Sequence, residues 1–167
     1  MLGRNQHRTI EEFFTRYTSE LINRVPLSSG ALADSIDYIV NEEDNGGVSI
    51  DLTMLYYGKY IDKGVNGWSK SWGSPYSYKT KMPPPSSLDK WIVKKGIAPR
   101  NNGKFTSRKS LQFAIANSIF KNGIRPTLFL SRDYDVKMDE FAEIFTEAVW
   151  NDFADDMNKN NNKDINL

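Results

Sequence analysis

One histidine, no cysteine and scattered carboxylates are the whole stock of groups for acid–base, nucleophilic or metal chemistry in this chain of 167 residues. His7 sits beside Arg8 near the start of the chain, in a stretch expected to be mobile, with no second histidine to work with. A general base has to be held within hydrogen-bond reach of its proton, and a mobile terminus does not do that. Without cysteine, disulfides, thiolate metal sites and a thiol nucleophile are excluded, and zinc and redox metals lack their usual ligands. Asp133-x-Asp135 and Asp155-Asp156 can touch a hard cation, but neither has the spacing of a calcium loop. Gly64-x-x-Gly67 and Gly46-Gly47 are not phosphate loops, since no Gly-Lys-Ser/Thr follows them. The serines include no Gly-x-Ser-x-Gly elbow. The expectation is a protein that is not an enzyme, with no catalytic residue, no metal and no cofactor.

Binding chemistry is better represented. From Leu55 to Trp91 the chain packs tyrosines and tryptophans into a region that otherwise reads as loop. Trp68, Trp72, Tyr76 and Tyr78 lead to the proline run Pro83-Pro84-Pro85. Long loops in compact domains are commonly functional or disordered, and disordered segments are poor in aromatics. The loop is therefore expected to order against its own domain or against a neighbour. Tyr and Trp dominate interface hot spots, and a proline run is ordered before it docks. Trp68, Trp72, Tyr76, Tyr78 and Pro84 are accordingly candidate interface residues. A second candidate surface is basic: Lys90, Lys94 and Lys95 flank Trp91, and Lys104, Arg108 and Lys109 follow. Basic residues around an aromatic can track a phosphate backbone, weakly and without sequence preference. The competing reading turns Trp91 into the core and leaves the lysines as the outer face of its helix.

The elements that must carry these residues follow from periodicity. Thr9 with Glu12 forms a capping box, and Ile10, Phe13, Phe14, Tyr17, Leu21 and Ile22 make one apolar stripe that Pro26 ends. Residues 27–35 form a turn. Alternation over 36–43 and 47–54 around Asp44-Asn45-Gly46-Gly47 predicts a β-hairpin. Two strands alone are marginal, so a helix or another subunit must cover them. A short helix over 55–63 ends at Gly64. Another begins near 86–87, with Leu88, Trp91 and Ile92 at helical spacing up to Gly96. After a loop at 98–104, Leu111, Ala114, Ile115, Ser118 and Ile119 define a helix over 107–121. Residues 125–130 are extended. Ser131 or Asp133 caps a last helix whose stripe is Val136, Phe141, Ile144, Phe145, Ala148, Val149 and Phe153. The fold class is α+β: a small antiparallel sheet packed by an N-terminal helix and two to three C-terminal helices. One domain spans 1–157 with an inserted loop at 65–85, and a flexible polar tail occupies 158–167.

Composition bounds the rest. A net charge of +1 gives no global pull toward nucleic acid or anionic membrane. The start of the chain lacks the apolar core of a signal peptide and no run is long enough to span a bilayer, so the expectation is a soluble protein made in the cytoplasm, with no membrane partner. The charge is uneven, however. From Lys90 to Arg125 every charge is basic, whereas the last helix is mostly acidic. Such a chain can pair with itself internally, or with a second copy head to tail.

Three segments, taken in order, resemble the tail-completion or neck proteins of tailed bacteriophages, the head–tail joining family. Gly30, Leu32, Ser35 and Ile36 match its start to the first strand. Tyr57, Ile61, Asp62 and Gly64 match its Tyr-x-x-x-(Ile/Val)-(Glu/Asp)-x-Gly segment, with Asp for the commoner Glu. Arg125, Pro126, Phe129 and Leu130 match its Arg-Pro-Phe-(Leu/Met) segment, with Thr127-Leu128 inserted. The loops at 65–85 and 98–107 are additions to that pattern. The resemblance covers residues 9–153. It implies a virion protein of the neck or tail, assembled in the host cytoplasm as a homo-oligomeric ring, a hexamer, that joins the portal or adaptor to the tail and lines or seals the channel through which DNA passes. Its implied partners are further copies, the portal or adaptor, a tail terminator or tail-tube protein, and DNA in transit. A tail terminator or another tail-tube component is the alternative within that class, and a non-specific nucleic-acid-binding protein is the alternative outside it. The resemblance makes Tyr57, Ile61, Asp62, Gly64, Arg125, Pro126 and Phe129 scaffold residues.

Overall fold

The computed structural model describes every residue except 27–28, 45–46, 99, 102–103, 106 and 165–167, and backbone alone at 100–101, 104–105 and 160–164. The chain is α+β, and its contacts divide it into two compact units where the sequence predicts one domain. The first unit comprises residues 1–24, 31–55 and 130–167, the second 25–30 and 56–129.

In the first unit, helix α1 (Arg4–Arg24) buries Ile10, Phe13, Phe14, Tyr17, Thr18 and Leu21. Ile22, predicted on that stripe, is 39% exposed, and Thr18 takes the inward place with its hydroxyl donating to the Phe14 carbonyl at 2.8 Å. Helix α1 also begins five residues before the predicted cap at Thr9, because its cap comes from elsewhere. Asp152 accepts the backbone N–H groups of Asn5 at 2.9 Å and Gln6 at 3.0 Å, two of the donors that a helix start leaves open. Strands β1 (Asp37–Glu42) and β2 (Val48–Thr53) pair antiparallel, Tyr38 against Leu52 and Val40 against Ile50. Alternation therefore puts those four on one face, where Tyr38 meets Phe14 at 5.5 Å between ring centroids. The predicted turn at 45–46 lies outside the described residues, as does the 27–28 part of the turn before α2 (Gly30–Ala33), whose Leu32 is fully buried.

Helix α6 (Tyr134–Asp164) packs against α1. Phe141 sits 5.1 and 5.0 Å from Phe13 and Phe14 and stacks on Phe145 at 5.3 Å. Ala148 is buried, but Val136, Ile144, Val149 and Phe153 of the predicted stripe are exposed. Helical backbone also continues through 158–164, where the polar composition predicts a flexible tail. Asp133 directly precedes α6 and its carboxylate binds Arg24 at 2.7 Å.

The second unit is built on α3 (Gly58–Lys63), β3 (Val65–Asn66), α4 (Asp89–Lys94), α5 (Arg108–Asn122) and β6 (Gly123–Ile124), with the two-residue strands β4 (Arg100–Asn101) and β5 (Lys104–Phe105) turning the predicted 98–104 loop into a small hairpin. A 3₁₀ turn at Pro85–Leu88 starts α4. Ile92 is its buried residue, while Trp91 stays 38% exposed, against the reading that turned it into the core. Ser107 caps α5, accepting the Ser110 N–H at 3.1 Å. The buried residue of α5 is Ala116, and the predicted stripe residues Ala114 and Ser118 face solvent. Strands β3 and β6 pair antiparallel, so residue 65 belongs to a ladder rather than to a loop.

Candidate interaction surface

Asn66 organises the aromatic loop. Its side-chain oxygen accepts the backbone N–H of Trp72 at 2.7 Å and of Ser74 at 3.2 Å, and the Ser71 hydroxyl at 3.4 Å. Its amide nitrogen donates to the Ser74 carbonyl at 2.6 Å and the Ser77 hydroxyl at 3.1 Å. Its backbone N–H donates to the Tyr76 carbonyl at 2.8 Å and its carbonyl accepts the Tyr78 N–H at 2.9 Å. One amide thus folds residues 66–78 around itself.

The folded loop then closes the C-terminal end of α5, where the last carbonyls of a helix lack partners. The Trp68 N–H donates to the Phe120 carbonyl at 2.8 Å. Ser69 donates to the Lys121 carbonyl through its N–H at 3.0 Å and its hydroxyl at 2.8 Å. The Trp72 indole N–H reaches the Asn122 carbonyl at 2.7 Å. The approach requires glycine: a Cβ on Gly67 would overlap the Lys121 carbonyl, and one on Gly123 would overlap that of Val65.

Of the candidate interface residues, three are therefore used within their own unit. Trp72 caps α5 and carries the Lys70 ammonium 4.0 Å over its ring. Tyr76 packs edge-on against Tyr60 at 4.6 Å, and Tyr78 lies 6.3 Å from Phe120, where burial pushes its hydroxyl above its ordinary pKa. Trp68 is left outward, 69% exposed, and Pro84 is exposed ahead of the 3₁₀ turn. Between α3 and the loop lies an open cleft of about 670 Å³ lined by Tyr57, Tyr60, Pro75, Tyr76, Tyr78 and Lys79 among others.

The scaffold residues of the second and third motifs come together. Thr127 donates to the Ile61 carbonyl through its N–H at 3.1 Å and its hydroxyl at 2.8 Å, and the Leu128 N–H donates to the Asp62 carbonyl at 2.9 Å. Leu128 holds φ +54°, the left-handed region that bulky residues avoid. Thr127 and Leu128, between Pro126 and Phe129, are thus the residues that bond this segment to α3. Gly64 has φ +69°, and a Cβ there would stand 2.5 Å from the Ile124 carbonyl. Asp62 and Phe129 are buried, Ile61 and Pro126 half-buried, and Tyr57 and Arg125 exposed.

The basic residues divide differently. Lys94 and Lys95 are exposed at the end of α4 beside Trp91, and Lys109 is exposed on α5. Arg108 stands 3.7 Å from Asp89, whose carboxylate also accepts the Gln112 amide at 2.7 Å. The Lys104 side chain lies outside the described residues. His7 lies on α1, 3.7 Å from Glu11 on the exposed face.

Asn66 is the residue that periodicity passed over. The available signal was an Asn at a strand end followed by Gly67 and a serine-rich run, each serine of which now has a bond. Among the described residues no group of three or more His, Asp or Glu is placed to hold a metal ion, and no helix is long and apolar enough to cross a membrane. No protein-family model, curated protein or solved structure matches the chain.

Proposed function

We propose that this chain is a structural subunit of the neck of a tailed phage, assembled as a ring of copies that joins the portal or adaptor to the tail and surrounds the DNA channel. It acts through protein contacts rather than by chemistry. The observation that carries the reading is the joint between α3 and residues 124–128. The segments 57–64 and 123–130 resemble the neck family independently in sequence, and they are bonded to each other through Ile61, Asp62, Thr127 and Leu128. Segments that form one joint are expected to be retained together in a scaffold. Cryo-electron microscopy of virions carrying this chain is the test. Ring density at the head–tail joint that fits the two units supports the reading, and a chain missing from purified virions overturns it. Density at the far side of the neck, against the tail tube, would make it a tail terminator.

A second reading, sequence-independent contact with DNA, is favoured by the exposure of Trp91 among Lys90, Lys94 and Lys95. It expects retention on duplex DNA at low salt and release near physiological salt. Absence of retention at low salt removes it.

A further inference from the structure

The C-terminal half of α6 leaves Val149, Trp150, Phe153 and Met157 39%, 66%, 57% and 50% exposed. Trp150 and Phe153 pack edge to face at 6.1 Å, so the rings form one patch. A helix face turned to water normally carries polar residues, and a contiguous apolar patch marks an interaction surface.

The charge around the patch narrows what can cover it. Between Met138 and Asn158 there are seven Asp or Glu and no Lys or Arg. Two copies of this face placed against each other would set like charges opposite, and a polyanion would meet the same repulsion. The occupant has to be apolar and basic. This chain carries such a surface in its second unit, which holds fourteen Lys or Arg against two Asp, a net +12. The first unit, with eight against nineteen, is at −11. Within the second unit, α4 exposes Trp91, with Lys94 and Lys95 three and four residues on along the same side of the helix.

We propose that the acidic apolar face of α6 in one copy docks on the basic apolar face of α4 in a second copy. The partner, a second copy, rests on the ring reading above. The contact is heterologous, since it joins two different faces, and repetition closes a ring or grows a filament.

Charge reversal tests the pairing. One variant carries Glu143→Lys and Glu147→Lys, the other Lys94→Glu and Lys95→Glu, and each is checked for a native circular dichroism spectrum. Sedimentation velocity of the full chain is expected to show self-association that weakens as salt rises from about 0.05 M to about 0.5 M. Each variant alone is expected to lose at least about tenfold in association, and the equimolar mixture to regain it, because the reversed residues on one face again meet residues of opposite sign on the other. Trp150→Ala is expected to weaken association at every salt concentration. A wild-type chain that stays monomeric overturns the proposal, as does undiminished association of either variant, or a mixture no better than its parts. If the α4 reversal lowers retention on duplex DNA but leaves self-association intact, the α4 face belongs to nucleic acid and the proposal falls. Failure here with the chain still found at the head–tail joint removes this contact and leaves the neck reading. Rescue in the mixture with the chain absent from virions does the reverse.

Discussion

At the scale of single residues, the largest consequences sit where one side chain serves several backbone groups. Asn66 does so for residues 71–77. Asn66→Ala is expected to cost about 2–3 kcal/mol, because the N–H groups of Trp72 and Ser74 lose a part-buried acceptor. Urea unfolding followed by tryptophan fluorescence measures it, and an unchanged midpoint would mean that the loop holds without this amide. Tyr17 is the opposite case. Its hydroxyl is buried with no hydrogen-bond partner among the described residues, and burial, with Asp133 nearby, pushes its pKa up to about 12. Tyr17→Phe is therefore expected to be neutral or to stabilise by about 1 kcal/mol, a result read from the thermal midpoint. The folded chain holds this proton more tightly than the unfolded one, so ionisation of Tyr17 takes nothing from stability below the ordinary tyrosine range, and stability falls as pH rises from about 10 toward about 12. The variant should lose that alkaline decline. Neither residue advertises its role in sequence: Asn66 reads as turn composition, and Tyr17 reads as one more aromatic on a stripe.

At the scale of elements, helix ends decide the outcome. Asp152 on α6 caps α1, and Asp133 before α6 holds Arg24 on α1. Burial works against the charge on Asp152, but the N–H groups of Asn5 and Gln6 outweigh it and hold the carboxyl below its usual range. The Arg24 guanidinium hydrogen bond does the same for Asp133. Both pKa values are depressed in the fold, so their contribution is present above the unfolded value near 3.8 and is lost as pH falls through the folded values. Asp133→Asn is expected to cost about 1 kcal/mol at neutral pH and to flatten the acid limb of the stability curve, as measured by urea titrations between pH 2 and 7, the span of carboxyl ionisation. A curve parallel to that of the unmodified chain would show that the pair contributes nothing. The α3 joint makes a second test. Gly64→Ala meets both a positive φ and a carbonyl at 2.5 Å, and is expected to destabilise by more than about 2 kcal/mol. Leu128→Gly is expected to be neutral or stabilising, since it relieves a left-handed leucine that is 42% exposed. Helix existence was legible in the sequence for all of these segments; the cap at the start of α1 and the closure of the C-terminal end of α5 were not, because they come from residues about 150 and 50 positions away.

At the scale of the molecule, the near-neutral chain resolves into units of −11 and +12. Charge of one sign concentrated on each unit makes association through unlike faces sensitive to salt. Separate cores carry a further expectation. Hydrogen exchange under mild denaturant should sort the amides into two cooperative groups, residues 56–129 in one and α1, α6 and the hairpin in the other. A single opening free energy throughout would mean that the two units unfold as one.

The sequence by itself determined the α+β class, the hairpin register face, the α1 stripe apart from Ile22, the end of α3 at Gly64 though not its start at Gly58, and the position of α5, because each follows from local periodicity or a cap within three or four residues. Its basic middle and acidic end were visible as well. Tertiary structure alone decided that Trp72 caps a helix, that Trp91 is exposed while Ile92 is buried, that α6 keeps an aromatic face exposed, and that Thr127 and Leu128 bond their segment to α3. Each of these depends on which surface a distant segment happens to cover, and periodicity identifies an apolar residue without identifying its cover.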